Sequence, residues 1–164
     1  RSLSHVILQA VAESLGHTSF FDDKFEFPTG MLRSNKYPVM PEGLKNTNAI
    51  SAHTDYGALT FLAQDGVGGL EVQNLEGEWI PVEPREGEFV INFGRMLEHW
   101  TNGQVKATEH RVQNPGVERM SVPFFYNPSY QTRLEVMGQT PTGVEPIAGE
   151  FLDQIYKETY THRT

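Results

Sequence analysis

Cysteine is absent from this 164-residue sequence, and its absence removes two kinds of site from consideration. Without thiols the chain can form neither a disulfide framework nor a thiolate metal site. Any metal ion must therefore be held by histidine and carboxylate side chains. The lack of cysteine also fits a reducing compartment, and on that basis we expect a cytoplasmic location.

The sequence also lacks long apolar runs and clustered basic residues. No run is long enough to span a bilayer, so we expect no membrane partner. Lysine and arginine are scattered singly along the chain, and the formal net charge is −8. Because phosphate binding needs a clustered basic face, we expect no nucleic-acid partner either.

Short strand-like runs, separated by turns rich in Gly, Pro and Asn, dominate most of the chain. The runs cover residues 30–37, 47–53, 58–64, 69–74, 78–84, 88–94, 105–112, 119–127 and 133–137. Many short strands in a chain of this size favour a mainly β fold: a sandwich, a jelly roll or a barrel. No linker, repeat or low-complexity tract interrupts the chain, so we expect one domain over residues 1–164.

Helical patterns occur in three places. Apolar residues recur at three- and four-residue spacing over residues 2–15, and Gly16 supplies a stop signal. A short helix is predicted within 95–103, and an amphipathic helix over 148–162 is expected to pack outside the sheets. Because the chain begins at Arg1 inside a helical pattern, we expect an upstream segment to be missing.

The stretch "NAISAHTDYGALTFLAQD" places His53 and Asp55 two residues apart in an apolar, strand-like run. If the strand extends through Asp55, both side chains project from the same face. If the strand ends at His53, the following turn must direct Asp55. An isolated pair of this kind is more often a strand-end histidine bonded to a turn aspartate, so further residues are needed to indicate a site.

His110, in "VKATEHRV", is the third candidate ligand and lies on another predicted strand. Two histidines and one carboxylate on a rigid β scaffold form the facial triad of non-haem Fe(II) sites, which leaves coordination positions open. The other histidines compete poorly because none lies on a predicted strand. They are His5, His17, His99 and His162.

Arg119 and Ser121, in "ERMSVPFFYN", share one face of a predicted strand. A guanidinium and a hydroxyl can together hold one carboxylate. The alternative is a surface strand with a salt-bridged arginine, but the neighbouring residues are Met, Val, Pro and Phe. Because a buried arginine without an anionic partner is costly, a bound carboxylate is favoured.

Together these motifs resemble the iron(II)/2-oxoglutarate dioxygenases of the isopenicillin-N-synthase-like group. The resemblance rests on "HTD" at 53–55, "HRV" at 110–112 and "RMS" at 119–121, with support from "LRSNKYP" and "VINFGRMLEHWTNG". It implies a double-stranded β-helix, or jelly roll, with flanking α-helices at both ends. It also implies an oxidoreductase that oxidises a C–H bond of a small organic molecule by hydroxylation, desaturation or ring closure, forming succinate and CO₂.

The resemblance further implies which residues bind the cofactors. Fe(II) is assigned to His53, Asp55 and His110, with O₂ and 2-oxoglutarate as co-substrates. The far carboxylate of 2-oxoglutarate is assigned to Arg119 and Ser121, with Tyr37 and Asn35 as further contacts. A tyrosine packed in the core and a turn asparagine are the simpler interpretations of these last two.

This sequence departs from the family pattern in two places. Lys36 stands where the family has a second tyrosine, and Arg95 stands where an acidic residue is usual. Members of the family generally also carry a helical N-terminal region that covers the core. We expect only its last helix here, so the chain is expected to pack against a missing region.

The substrate is a small molecule that the sequence does not identify. If residues 119–127 alternate as a strand, Phe125 and Asn127 share the inward face, where they are candidates to stack on and orient a substrate. A core role for Phe125 is the alternative. Two other functions stay open: an oxidase of the same family that does not use 2-oxoglutarate, and a non-catalytic jelly-roll binding module.

Overall fold

A computed structural model describes residues 2–41 and 47–160. Its elements in chain order are α1 (Leu3–Ser14), β1 (Thr29–Leu32), β2 (Asn35–Tyr37), β3 (Asn48–His53), β4 (Leu59–Gln64), β5 (Leu70–Gln73), β6 (Trp79–Pro81), β7 (Val90–Phe93), α2 (Arg95–Trp100), β8 (His110–Gln113), β9 (Arg119–Asn127) and α3 (Ala148–Tyr160). Within these ranges no helix is both long and apolar enough to cross a bilayer.

The strands form two antiparallel sheets that enclose a cavity between them. The major sheet has the order β1-β9-β4-β7, with β2 also paired to β9, and the minor sheet has the order β3-β8-β5-β6. From β3 onward the chain alternates between the sheets, apart from the β5–β6 hairpin. This alternation is the connectivity of a jelly roll, and it confirms the predicted fold class.

The predicted strand over 30–37 is interrupted in the structure. β1 and β2 pair with β9 in one continuous register, Leu32 opposite Phe124 and Asn35 opposite Ser121. Between them Arg33 donates its N–H to the carbonyl of Pro123, at 3.0 Å. The second hydrogen bond of this residue pair would need an N–H on residue 123, and proline has none. The ladder of backbone hydrogen bonds is therefore interrupted here, while the register on both sides stays the same.

Two other strand predictions were wrong, at least in part. Residues 133–137 form no sheet strand: Met137 donates to the carbonyl of Trp100, and Arg133 makes only an isolated bridge to Ile147. The predicted strand over 105–112 begins only at His110, because the Ala107 amide donates to the Glu98 carboxylate of α2. The strand predictions for both segments rested on apolar residues that suit a buried, extended chain. Burial of such residues does not by itself supply a neighbouring strand for backbone pairing.

The predicted helices are confirmed as far as the described residues extend. The Ser2 side chain caps the N-terminus of α1, and Gly16 follows its end with φ of 81°. The prediction for residues 161 and 162 of the last helix lies outside the described residues. α1 and α2 pack with the outward face of the major sheet in one apolar cluster, which includes Leu8, Ala12, Leu59, Met96 and Trp100.

Candidate metal centre and anion site

His53, Asp55 and His110 meet at the cavity between the sheets. One ligand atom from each residue lies within 4.8 Å of the others, and His110 Nε2 is 3.8 Å from Asp55 Oδ1. β3 and β8 place the two histidines directly opposite each other, with ring centroids 4.3 Å apart. The structure therefore brings together all three residues that the sequence indicated as ligands.

Backbone carbonyls hold both imidazoles in the same tautomer. His53 Nδ1 is 2.8 Å from the carbonyl of Ser51, and His110 Nδ1 is 3.1 Å from the carbonyl of Thr108. A carbonyl only accepts hydrogen bonds, so each Nδ1 carries the proton and donates it. The Nε2 lone pair of each ring is left available, which is the arrangement of metal-binding histidines.

The charges around this site favour a cation. Asp55 is 7% exposed, and its Oδ2 is buried without a hydrogen-bond partner among residues 2–41 and 47–160. Burial lowers the pKa of His110, the His53 ring lowers it further, and the Asp55 carboxylate opposes both effects. A neutral imidazole and a buried carboxylate oxygen without a partner are what a divalent ion needs, so the donor set fits a non-haem iron site.

A turn between β3 and β4 directs Asp55, because β3 ends at His53. The first residues of α2 hold this turn: the Arg95 N–H donates to the Asp55 carbonyl at 2.8 Å, and the Met96 N–H donates to the Gly57 carbonyl at 3.1 Å. These amides lie in the first turn of α2 and have no partner within the helix. α2 therefore positions the carboxylate without touching it.

Gly94, which precedes α2, allows this close approach. A Cβ atom at Gly94 would lie 2.1 Å from the Gly57 carbonyl oxygen, which is a backbone atom and cannot rotate away as a side chain could.

We expect Gly94→Ala to lower the free energy of unfolding by about 1–3 kcal/mol and to weaken metal binding by displacing Asp55. Thermal unfolding and metal titration measure the two effects. Gly68→Ala is the control, since a Cβ atom there meets nothing within 4 Å; equal behaviour of the two variants would contradict the prediction.

Arg119 lies deeper in the cavity and is fully buried. Its Nε donates to the carbonyl of Val67 at 3.2 Å, its Nη2 donates to Gln64 Oε1 at 2.8 Å, and its guanidinium lies 4.8 Å from the ring centroid of Tyr37. Its Nη1 is buried without a hydrogen-bond partner, and among the described residues it forms no salt bridge. The guanidinium is positioned by neutral groups and has an unused donor for an anion.

The other residues predicted to contact 2-oxoglutarate surround Arg119. Ser121 is buried, and its Oγ lies 3.3 Å from the hydroxyl of Tyr37. Asn35 is paired opposite Ser121 and lines the same cavity. The two departures from the family pattern lie elsewhere: Lys36 points outward in an ion pair with Glu118, and Arg95 is exposed at the start of α2.

Two connected cavities give this site its shape. The inner chamber has a volume of about 130 Å³ and is lined by both the triad and Arg119. The outer cavity has a volume of about 410 Å³ and shares His53, Asp55 and Phe125 with the inner chamber. Asn127 and two residues of α3, Leu152 and Tyr156, line the outer cavity but not the inner chamber. One small anion can therefore be enclosed beside the triad, while a second molecule reaches the triad from outside.

The two predicted substrate residues lie at this outer cavity. Phe125 lines both spaces, in agreement with the alternation expected along β9. The Asn127 Oδ1 accepts a hydrogen bond from the Ala58 N–H at 3.3 Å, so part of this side chain supports the turn that carries Asp55. The Asn127 amide nitrogen is the part left for a ligand.

Sequence reasoning missed three polar residues of this site. Thr60 on β4 and Asn92 on β7 line the inner chamber, and Gln64 on β4 accepts a hydrogen bond from Arg119. Thr60 and Gln64 stand four residues apart in an apolar strand, which places them on one face. That spacing could have indicated a polar patch on one face of the strand. The sequence did not indicate which face of β4 points inward.

Comparison with known proteins gives a consistent result. Residues 28–128 match the profile of the 2OG-Fe(II) oxygenase superfamily. The chain is 35% identical to gibberellin 2-beta-dioxygenase 8 from Arabidopsis thaliana, over 96% of this chain and 46% of that protein. It is 40% identical to a homoarginine-6-hydroxylase from Oryza sativa subsp. japonica, over 82% of this chain and 43% of that protein.

A solved structure agrees with the sequence matches. A full-length Neurospora crassa protein in complex with alpha-KG superposes with a TM-score of 0.84 and 29% identity, covering 94% of this chain and 52% of that one. The chain thus spans about half the length of the relatives it matches. The matched range, residues 28–128, spans the triad, Arg119 and Ser121.

Proposed function

Because the chain belongs to the 2OG-Fe(II) oxygenase superfamily, we propose that it carries the catalytic core of a non-haem Fe(II)/2-oxoglutarate-dependent oxygenase. The proposed reaction oxidises a C–H bond of a small organic molecule and converts 2-oxoglutarate to succinate and CO₂. The observation that carries this proposal is the inner chamber. It joins a triad with an unpaired carboxylate oxygen to a buried guanidinium with an unused donor.

Each residue has a role in this proposal that follows from its geometry. When bound, Fe(II) supplies the redox chemistry by which O₂ oxidises 2-oxoglutarate and the substrate. His53 and His110 present Nε2, and Asp55 presents its carboxylate, to hold the ion. Arg119 and Ser121 hold the far carboxylate of 2-oxoglutarate by charge-assisted hydrogen bonds, and Tyr37 bonds to Ser121. The inner chamber holds the co-substrate between the two sheets, beside the triad.

We place the substrate in the outer cavity, which shares triad residues with the inner chamber. Phe125 offers a flat apolar surface, and the Asn127 amide nitrogen offers a donor. Matched relatives are named for gibberellin and for homoarginine, so family membership leaves the substrate open. We further propose one domain over residues 1–164 and, from the lack of cysteine, a cytoplasmic location.

The expected upstream region stays a prediction. Its contact surface would include the exposed apolar residues of α1, Leu3 and Val6, which are 58% and 49% exposed. We expect an added region that covers them to increase the coupling of 2-oxoglutarate turnover to substrate oxidation. The measurement is the ratio of succinate formed to substrate oxidised; an unchanged ratio would contradict the prediction.

Anaerobic addition of Fe(II) and then 2-oxoglutarate tests the proposed function. We expect a weak visible charge-transfer band that requires both components, followed by succinate formation when O₂ is admitted. Omission of Fe(II) is the control. Oxygen consumption without succinate would indicate the oxidase that does not use 2-oxoglutarate. Metal binding without oxygen consumption in the presence of candidate substrates would indicate the binding module.

A further inference from the structure

Side chains on the inward face of the major sheet form successive rows that run across the strands. The deep row contains Ser121 with Asn35 and Gln64, its neighbours on β2 and β4. The middle row contains Pro123 with Leu62 and Val90. The outer row contains Phe125 with Thr60 and Asn92. Along β4 the rows are therefore polar, apolar and polar in turn, and β7 continues the middle row with Val90 and the outer row with Asn92.

Thr60 and Asn92 are the unexplained members of the outer row. They lie directly opposite each other on β4 and β7, are 4% and 6% exposed, and line the inner chamber. Within residues 2–41 and 47–160 neither side chain has a hydrogen-bond partner. Their polar atoms are not among the fully buried atoms that lack a partner, so these atoms are open to the chamber that the two residues line.

These two side chains do not support the metal ligands. Neither Thr60 nor Asn92 bonds to Asp55 Oδ2, which has no hydrogen-bond partner in the described part of the chain. The imidazoles of the triad use backbone carbonyls instead. The Asp55 turn is likewise held by α2 amides and by Asn127. Two adjacent donors that open into the chamber are therefore available to a ligand inside it.

The order of the rows matches the order of groups in 2-oxoglutarate. Arg119 and Ser121 lie at one end of this order of rows, and Phe125, which also lines the outer cavity with His53 and Asp55, lies at the other end. 2-Oxoglutarate has a carboxylate, two methylenes and then a 2-oxo acid. The carboxylate suits the deep row with Arg119, the methylenes suit the apolar middle row, and the 2-oxo acid reaches the outer row beside the triad.

We propose that the Thr60 hydroxyl and the Asn92 carboxamide donate hydrogen bonds to the 2-oxo acid end of 2-oxoglutarate, opposite the end held by Arg119. This inference rests on the proposed function. The two residues orient the end of the co-substrate that faces the metal, and Leu62 and Pro123, which line the chamber, contact the methylenes between the two ends.

The test compares two ligands on Zn(II)-loaded protein, where no turnover occurs. 2-Oxovalerate keeps the 2-oxo acid end of 2-oxoglutarate and replaces the far carboxylate with a methyl group. Thr60→Val and Asn92→Leu preserve side-chain size and remove the donors. Each variant is expected to weaken both ligands by the same factor, about tenfold or more, because hydrogen bonds to charged groups are among the stronger ones. Calorimetry or equilibrium dialysis gives the dissociation constants.

Two controls separate binding of the 2-oxo acid end from a general effect on the chamber. Thr60→Ser keeps the hydroxyl and is expected to retain affinity for both ligands. Arg119→Ala is expected to weaken 2-oxoglutarate alone and to remove its advantage over 2-oxovalerate. Unchanged affinities in the Thr60→Val and Asn92→Leu variants would overturn the inference, as would a loss confined to 2-oxoglutarate.

A loss of Zn(II) affinity as large as the loss of ligand affinity, in Thr60→Val or Asn92→Leu, would also overturn the inference. It would show that the two residues stabilise the metal ligands and do not bind the co-substrate. Melting temperatures identify any variant that fails to fold, and Thr60→Val then provides the decisive measurement because it is the smaller change. Failure of the unmutated protein to bind 2-oxoglutarate would be a failure of the proposed function, which is a different result.

Discussion

Asp55→Asn is expected to weaken binding of Fe(II), or of Zn(II) as a stable substitute, by at least about a hundredfold. Loss of an outer-shell partner alone typically costs about 10–100-fold in metal affinity, and Asp55 is the only acidic member of the donor set. The same variant is expected to unfold at a temperature no lower than the unmutated metal-free protein. Its neutral amide replaces a buried carboxylate whose Oδ2 has no partner.

Metal titration and thermal unfolding of the metal-free protein measure these two effects separately. Glu109→Gln is the matched control, because it removes the same charge next to His110 in the chain but outside the triad. Unchanged metal affinity in Asp55→Asn would exclude the proposed centre. Parallel loss of metal affinity and melting temperature would instead make Asp55 a structural residue of the β3–β4 turn.

Arg119→Ala is expected to weaken 2-oxoglutarate binding about thirtyfold to several thousandfold and to affect metal affinity far less. Removing one partner from a desolvated charge pair costs about 2–5 kcal/mol. Arg119 is fully buried, and its free Nη1 is the donor that the ligand would use. Arg119→Lys is expected to restore part of the affinity, since lysine keeps the charge but not the planar pair of donors.

Arg111→Ala controls for the loss of a partly buried arginine. Arg111 lies on β8, where its Nε is 2.6 Å from Glu71 Oε2 and its guanidinium lies 4.1 Å from the Trp79 ring centroid. We expect this variant to lower the melting temperature and to leave the affinity of the folded protein for 2-oxoglutarate unchanged. Equal loss of metal and co-substrate affinity in Arg119→Ala would indicate unfolding, and unchanged 2-oxoglutarate affinity would favour the oxidase.

Local patterns in the sequence were enough to predict the elements that carry the site. Alternation along residues 119–127 placed Arg119, Ser121 and Phe125 on one face, and β9 confirms that face. Residue type alone restricted the metal ligands, because a chain without cysteine has only histidine and carboxylate for a transition metal. The shared face of a strand depends only on residues a few positions apart, and the available ligand types depend only on composition. Both can be read directly from a sequence.

The strand predictions that were wrong show where local information ends. Residues 133–137 have the apolar composition of a strand, and Leu134 and Met137 are indeed buried. Their backbone hydrogen bonds go to Pro146 and Trp100 instead of a neighbouring strand. Whether an extended apolar segment finds a pairing partner depends on residues distant in the chain.

The tertiary structure decided the geometry of the site itself. The sequence left open whether β3 reaches Asp55; the structure ends β3 at His53 and holds the next turn with the amides of α2, contributed by a segment some forty residues later. Thr60 and Asn92 became visible as a pair only once β4 and β7 were placed side by side. A sequence determines which groups are available and which face of a strand they share. Pairing between distant strands determines which of those groups meet, because the contacts that bring them together are made by other parts of the chain.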